Sequence, residues 1–140
     1  MKTILIAEDD KKIAAALTIR LKAAGYKVVV TRDGYDGLKA AALERPDVIV
    51  TDIWMPVGTG LCLAEQLQEV GLQIPVIFIT ASHSDILVQK ARQLNAFACF
   101  RKPYDSDQLL SAIALATENH PSLLSPAHSE RPRLEERPDA

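Results

Sequence analysis

Val48-Ile49-Val50-Thr51-Asp52-Ile53-Trp54-Met55-Pro56 is a short apolar run that ends in an acid and then in a proline-bearing turn. A run without polar alternation suits a strand buried on both faces, because a strand with one wet face alternates. The reading is a strand over Asp47 to Thr51 with the Asp52 carboxylate at its exposed tip. Three other runs have the same form. Ile4-Leu5-Ile6-Ala7 leads into Glu8-Asp9-Asp10, Val76-Ile77-Phe78-Ile79 finishes in Thr80, and Phe97-Ala98-Cys99-Phe100 precedes Lys102-Pro103.

Between these runs lie longer segments of helical period. Ile13, Leu17 and Leu21 recur at four-residue spacing until Gly25 supplies a stop. A second strand over 27–30 is followed by a helix from about Asp33 to Glu44, which ends on the approach to Pro46 and is weakened by Gly34 and Gly37. A third helix is expected from about Leu61 to Val70, stopped by Gly71. A fourth begins after Ser82, a candidate N-cap, and runs to about Leu94 before Asn95; a fifth begins at Asp105, with Gln108 completing a capping box, and runs to about Glu118.

Five strand-helix units with strands apolar throughout imply a parallel sheet with helices on both faces, since right-handed crossovers bury both sides only in a doubly wound arrangement. Sites in such sheets form at the carboxyl ends of the strands. Residues 1–118 make this domain. Residues 119–140 contain Pro121, Pro126, Pro132 and Pro138 among serines and charged residues, and read as a flexible tail, too short and too polar for a DNA-binding domain.

At 140 residues, with 48% of them apolar and a net charge of -2, the chain has the material for one soluble domain and lacks a basic face for nucleic acid. It shows neither a signal-peptide pattern nor an apolar stretch long enough to span a bilayer. Cys62 and Cys99 lie in apolar segments without metal or redox spacing, which reads as buried, reduced thiols in a cytoplasmic protein. His83, His120 and His128 show no metal spacing either.

Carboxylates converging on one point repel one another and call for a counter-charge or a hard divalent cation with oxygen preference, a description that magnesium fits. Asp52 would then be an ionised nucleophile, with an unperturbed carboxyl pKa of about 3.9. Its in-line attack on a phosphoryl group gives an acyl phosphate, for which Lys102 supplies an electrophile and Thr80 a hydroxyl. Asp10 reads only as a helix-terminus acid.

Glu8-Asp9, Asp52 to Pro56, Thr80-Ala81 and Lys102-Pro103, in that order at four strand ends, resemble the receiver domain of bacterial response regulators over about residues 2–118. The resemblance implies a flavodoxin-like fold with strand order 2-1-3-4-5, for which the chemotaxis regulator of this family is a standard example. It implies Asp52 as phosphoacceptor, Mg2+ held by Glu8, Asp9, Asp52 and the backbone carbonyl of Trp54, and Lys102 and Thr80 on the phosphoryl group. It further implies a cis Lys102-Pro103 bond, and a phosphohistidine donor on a sensor histidine kinase or a phosphotransfer protein. The effector would be a separate protein bound through the fourth helix, fifth strand and fifth helix, with homodimer formation left open. Such a chain is not an enzyme beyond catalysing its own phosphorylation and dephosphorylation.

Two positions depart from the family pattern. Cys99 stands where the family commonly has Tyr or Phe three residues before the lysine; Phe100 should face the other way, and Tyr104 is the candidate replacement. Trp54, two residues after Asp52, is expected to shield the phosphoryl group from water and slow its loss. Among alternatives, a phosphohydrolase of the haloacid dehalogenase type needs a second acid where Trp54 stands. A flavodoxin-like nucleotide carrier would not place acids after its first strand. A phosphorylation-independent docking module would have no use for the full set of site residues.

Overall fold

The computed structural model describes residues 1–53, 59–81, 85–118 and 123. Trp54, Ser82, the histidines and all of the tail but Leu123 therefore lie outside the described residues. The strands are β1 (Thr3–Ala7), β2 (Lys27–Thr31), β3 (Val48–Asp52), β4 (Val76–Thr80) and β5 (Ala98–Arg101), and the helices α1 (Lys11–Ala23), α2 (Gly34–Glu44), α3 (Gly60–Glu69), α4 (Asp85–Gln93) and α5 (Ser106–Thr117). All pairings are parallel, in the order β2-β1-β3-β4-β5. This is the flavodoxin-like doubly wound arrangement expected from the strand pattern and the resemblance.

Alternation along each strand sorts its side chains into two layers. Ile4, Ile6, Val48, Val50, Ile77 and Ile79 point to α1 and α5, where they meet Leu17, Leu21, Leu109 and Ile113. Leu5, Ala7, Ile49, Val76 and Phe78 point the other way, to Ala41 of α2, Leu63 and Leu67 of α3 and Ala91 of α4. β3 and β4 are buried at every residue because both faces are covered, and this double cover is what the unalternating apolar runs encode.

Local chemistry fixes the helix ends. The Asp10 side chain accepts from the N–H groups of Lys12 and Ile13, and Asp105 accepts from those of Asp107 and Gln108. Gly25 (φ 95°) and Gly71 (φ 77°) take the left-handed conformation just past α1 and α3, which spares those turns a Cβ clash. Arg45, before Pro46, adopts φ 48° and closes α2, and Asn95 at φ 59° follows α4. β3 runs from Val48 to Asp52, one residue later at each end than the expected Asp47 to Thr51, and Asp47 just ahead of it accepts from the Thr3 N–H at 2.8 Å.

The expectation of buried thiols fails for Cys62. α3 turns its Leu63-Leu67 stripe inward and leaves Cys62 exposed, while Cys99 is half-buried; both thiols are free. An apolar segment on an amphipathic helix does not bury every residue in it, since only one stripe faces the sheet.

Candidate functional site

Parallel packing places the carboxyl ends of β1, β3, β4 and β5 side by side. Asp52 is the last residue of β3, in register with Ile79, so Thr80 lies one residue further along the neighbouring strand. Glu8 follows β1 and is fixed at its backbone by donating its N–H to the Thr31 carbonyl at 3.0 Å. Lys102 follows β5, and its N–H donates to the Thr80 carbonyl at 2.8 Å. The Lys102-Pro103 bond is cis, as the resemblance implied.

The side chains converge. Glu8, Asp9 and Asp52 each offer a carboxylate oxygen, and these lie within 4.8 Å of one another. The Lys102 ammonium donates to Asp52 Oδ2 at 2.8 Å and stands 3.5 Å from Glu8 Oε1, bridging two carboxylates that are nearly out of solvent. Asp9 is the exposed member, at the mouth of the cluster. Thr80 is buried, and the structure places it at this strand end through its backbone. Asp10 points away from the cluster to cap α1, the role expected of it. The proposed Trp54 carbonyl ligand lies outside the described residues.

The electrostatics follow from burial and charge. Burial raises the Glu8 carboxyl above its ordinary value; the backbone N–H of Asp10 and the charge of Lys102 oppose that shift, and the Asp52 carboxylate adds to it. Burial disfavours charge on Lys102, but the hydrogen bond and attraction from Asp52, then those from Glu8, outweigh it and hold the ammonium above the ordinary lysine value. The group is thus a firm cation. A cleft of ≈ 220 Å³ beside the cluster is lined by Glu8 and by two cations, Lys11 and Arg32.

The three clustered oxygens fit a hard divalent ion such as magnesium, which takes few protein carboxylates and keeps several waters. Glu8, Asp9 and Asp52 would hold it. When bound, such an ion would offset the negative charge of these carboxylates and of a phosphoryl group brought to them.

The residue that sequence reasoning missed is Gly60. Its N–H donates to the Ile53 carbonyl at 3.1 Å, and a Cβ there would collide with the Asp52 carbonyl oxygen and crowd Thr51 Oγ1 at 2.9 Å. The first turn of α3 therefore sits directly on the backbone of the acid. The only signal in the sequence was a glycine at a helix start, which reads equally well as loop. Gly37 also has a packing reason, because a Cβ would lie 3.1 Å from Leu63 Cδ2 where α2 meets α3.

Cys99 and Phe100 point to opposite layers, as strand alternation required: Cys99 packs on the side of α2, α3 and α4, and Phe100 on the side of α1 and α5. Tyr104 shares the layer of Phe100, so it does not occupy the place of an aromatic at position 99. Burial raises its phenol pKa, and Lys102, Glu8 and Arg20 are the charges it feels.

Comparison with known proteins gives the same picture. The family model described as response regulator receiver domain matches residues 4–114. The transcriptional regulatory protein DltR of Streptococcus agalactiae is 35% identical over 114 residues, covering 81% of this chain and 51% of its own length. PdtaR of Mycobacterium tuberculosis, also named a transcriptional regulatory protein, is 33% identical over 116 residues, covering 82% of this chain and 56% of its own length. The receiver domain of the Francisella response regulator 1452 superposes with a TM-score of 0.80 at 27% identity, covering 85% of this chain and 98% of that one. The chain spans about half the length of these curated relatives, and no helix among the described residues is long and apolar enough to cross a membrane. With the sheet order, the strand-end cluster and the family model in agreement over most of its length, the chain belongs to the response regulator receiver domains.

Proposed function

We propose that this chain is a phosphoacceptor switch of a two-component or phosphorelay system, with Asp52 as the residue modified. The observation that carries the reading is the Lys102 ammonium held between Asp52 and Glu8, with a third carboxylate from Asp9 completing an oxygen cluster. A docking module without chemistry gains nothing from two nearly buried acids that share one lysine. Such a cluster costs desolvation that apolar packing would avoid.

In this reading the donor is a phosphohistidine on a sensor histidine kinase or phosphotransfer protein in the cytoplasm. An Asp52 carboxylate oxygen attacks phosphorus in line. The phosphorus–nitrogen bond breaks, its electron pair stays on the imidazole, and that nitrogen takes up a proton. Lys102 moves its hydrogen bond from the carboxylate to a phosphoryl oxygen, and the Thr80 hydroxyl turns toward the same group. Mg2+ at Glu8, Asp9 and Asp52, with the Trp54 carbonyl as a further ligand, is required for acceptance. The readout is a changed surface on α4, β5 and α5, recognised by a separate effector protein. Cys99 argues that an aromatic rotamer at that position is not the reporter here. The bulk of Trp54, two residues after Asp52 in the sequence, slows hydrolysis in this reading, so Trp54→Asn shortens the phosphorylated lifetime; an equal or longer lifetime would remove that role.

The test is incubation with acetyl phosphate or phosphoramidate and magnesium, followed by intact-mass measurement. The expected result is a gain of one phosphoryl group that needs the metal and disappears in Asp52→Asn. An unmodified wild-type chain, with the variant indistinguishable from it, supports the docking module instead.

A further inference from the structure

Thr51 is 1% exposed and stands one residue before Asp52, at the end of the apolar run Val48-Ile49-Val50. Alternation puts its side chain on the face of Ile49 and Ile53, in the layer covered by α2 and α3, and sends Asp52 to the other face. A hydroxyl in an apolar layer costs free energy unless it is hydrogen-bonded, so the group it donates to is informative. Thr51 Oγ1 donates to the Asp52 carbonyl oxygen at 3.0 Å. That oxygen belongs to the peptide unit joining Asp52 to Ile53, whose other polar group, the Ile53 N–H, donates to the Ile79 carbonyl of β4 at 3.1 Å. One peptide plane is thus held from both sides, by a side chain of its own strand and by the neighbouring strand.

We propose that Thr51 is a positioning residue for the phosphoacceptor: its hydroxyl fixes the peptide after Asp52, and through it the direction in which the Asp52 carboxylate leaves the strand end. The proposal rests on the reading of Asp52 as the residue modified. Only φ and ψ are soft in the backbone, so with the planes before and after it fixed, the Asp52 Cα has one orientation and its Cβ one direction. Pairing of β3 with β1 and β4 fixes the plane before; Thr51 and Ile79 fix the plane after. The direction so fixed brings Asp52 Oδ2 to 2.8 Å from the Lys102 ammonium. The seat is tight. A Cβ on Gly60 would stand 2.9 Å from Thr51 Oγ1, and Gly60 donates its own N–H to the Ile53 carbonyl at 3.1 Å, so the start of α3 closes over the hydroxyl and leaves it little room to turn away. In-line attack needs an oxygen aimed at phosphorus, and a misplacement of about 1 Å can cost on the order of a hundredfold in rate.

Thr51→Val keeps the branched shape and removes the donor, whereas Thr51→Ser keeps the donor and removes a methyl group. Phosphoryl gain from acetyl phosphate with magnesium is followed by intact mass in both variants and the wild type, and urea unfolding gives their stabilities. The expected result is a rate that follows the hydroxyl and not the unfolding midpoint. Thr51→Val slows phosphoryl gain on the order of tenfold, while Thr51→Ser stays near the wild-type rate although the lost methyl lowers its stability. Thr51→Ala, which also lacks the donor, should be as slow as Thr51→Val and decides the matter if the valine variant does not fold. The proposal is overturned by Thr51→Val or Thr51→Ala at the wild-type rate, or by Thr51→Ser as slow as they are. A wild-type chain that gains no phosphoryl group overturns the reading of Asp52 as well, which separates that failure from a failure of Thr51 alone.

Discussion

Glu8 and Lys102 carry opposite consequences of the same burial. Because burial lifts the Glu8 carboxyl above its ordinary value of 4.5, the folded protein binds that proton more tightly than the unfolded chain. Stability without metal therefore falls as pH rises from about 4.5 through the raised folded value, since ionised Glu8 is the costly form. Glu8→Gln should stabilise the metal-free protein at neutral pH, with the gain vanishing as pH falls toward 4.5; urea unfolding at several pH values reads this, and a gain that grows on acidification would contradict it. Lys102 is raised above its ordinary value of 10.5, so the stability it contributes is present below that pH and is lost as pH rises through the raised folded value. Lys102→Met leaves Asp52 and Glu8 facing each other without the bridging ammonium. A loss of about 1–3 kcal/mol is expected at neutral pH, as for a buried charged group deprived of its partner. At this scale the sequence was informative about membership: acids at strand ends and a lysine before proline were enough to nominate Glu8, Asp9, Asp52 and Lys102. It could not say that one ammonium would serve two carboxylates, because that depends on side-chain distances across three strands.

α3 shows what an element adds to the site. Its first residue, Gly60, rests against the Asp52 carbonyl, so the helix and the end of β3 hold each other in place. Gly60→Ala must push the helix start or the strand end aside, and overpacking of this kind costs about 1–3 kcal/mol. Phosphorylation by acetyl phosphate should slow with it, whereas Gly71→Ala at the other end of α3 should cost about 1–2 kcal/mol of left-handed strain and leave the phosphorylation rate unchanged. Paired denaturation and mass-shift time courses separate the two. Asp105→Ala removes the acceptor for two N–H groups at the start of α5 and should cost about 1 kcal/mol in the same denaturation assay. Elements were legible where one signal dominated: unalternating apolar runs for β3 and β4, Asp105 for the start of α5, and Gly25 and Gly71 for helix stops. Legibility failed where the answer depended on which way a helix faces. Cys62 sits in an apolar stretch, yet the stripe of Leu63 and Leu67 turns it outward. Gly37 and Gly60 read as helix weakness or loop until the neighbouring element is in place.

The whole molecule is a sheet with two core layers whose strand ends concentrate negative charge at one edge. The two layers stabilise the fold; the clustered acids work against it, and Lys102 offsets two of them by standing between Glu8 and Asp52. A divalent cation that binds the folded cluster and not the unfolded chain must therefore raise the unfolding free energy, by about 2.7 kcal/mol when the ion is a hundredfold above its dissociation constant. The size of that gain depends on pH in a definite direction. Glu8 has to be ionised to act as a ligand, and its raised pKa means that acidification returns its proton before an ordinary glutamate would be protonated. The magnesium-dependent stabilisation should accordingly be largest at pH 7–8 and shrink toward about pH 5, ahead of the loss expected for a site of ordinary carboxylates. Asp52→Asn, which removes one of the three oxygens, should weaken the gain at every pH, and Glu8→Gln should flatten its pH dependence. Thermal unfolding of the three proteins with and without magnesium makes the comparison. Wild-type midpoints that ignore the ion at neutral pH would mean that the protein's own groups, Lys102 among them, balance the acids, and that the cluster is not a metal site.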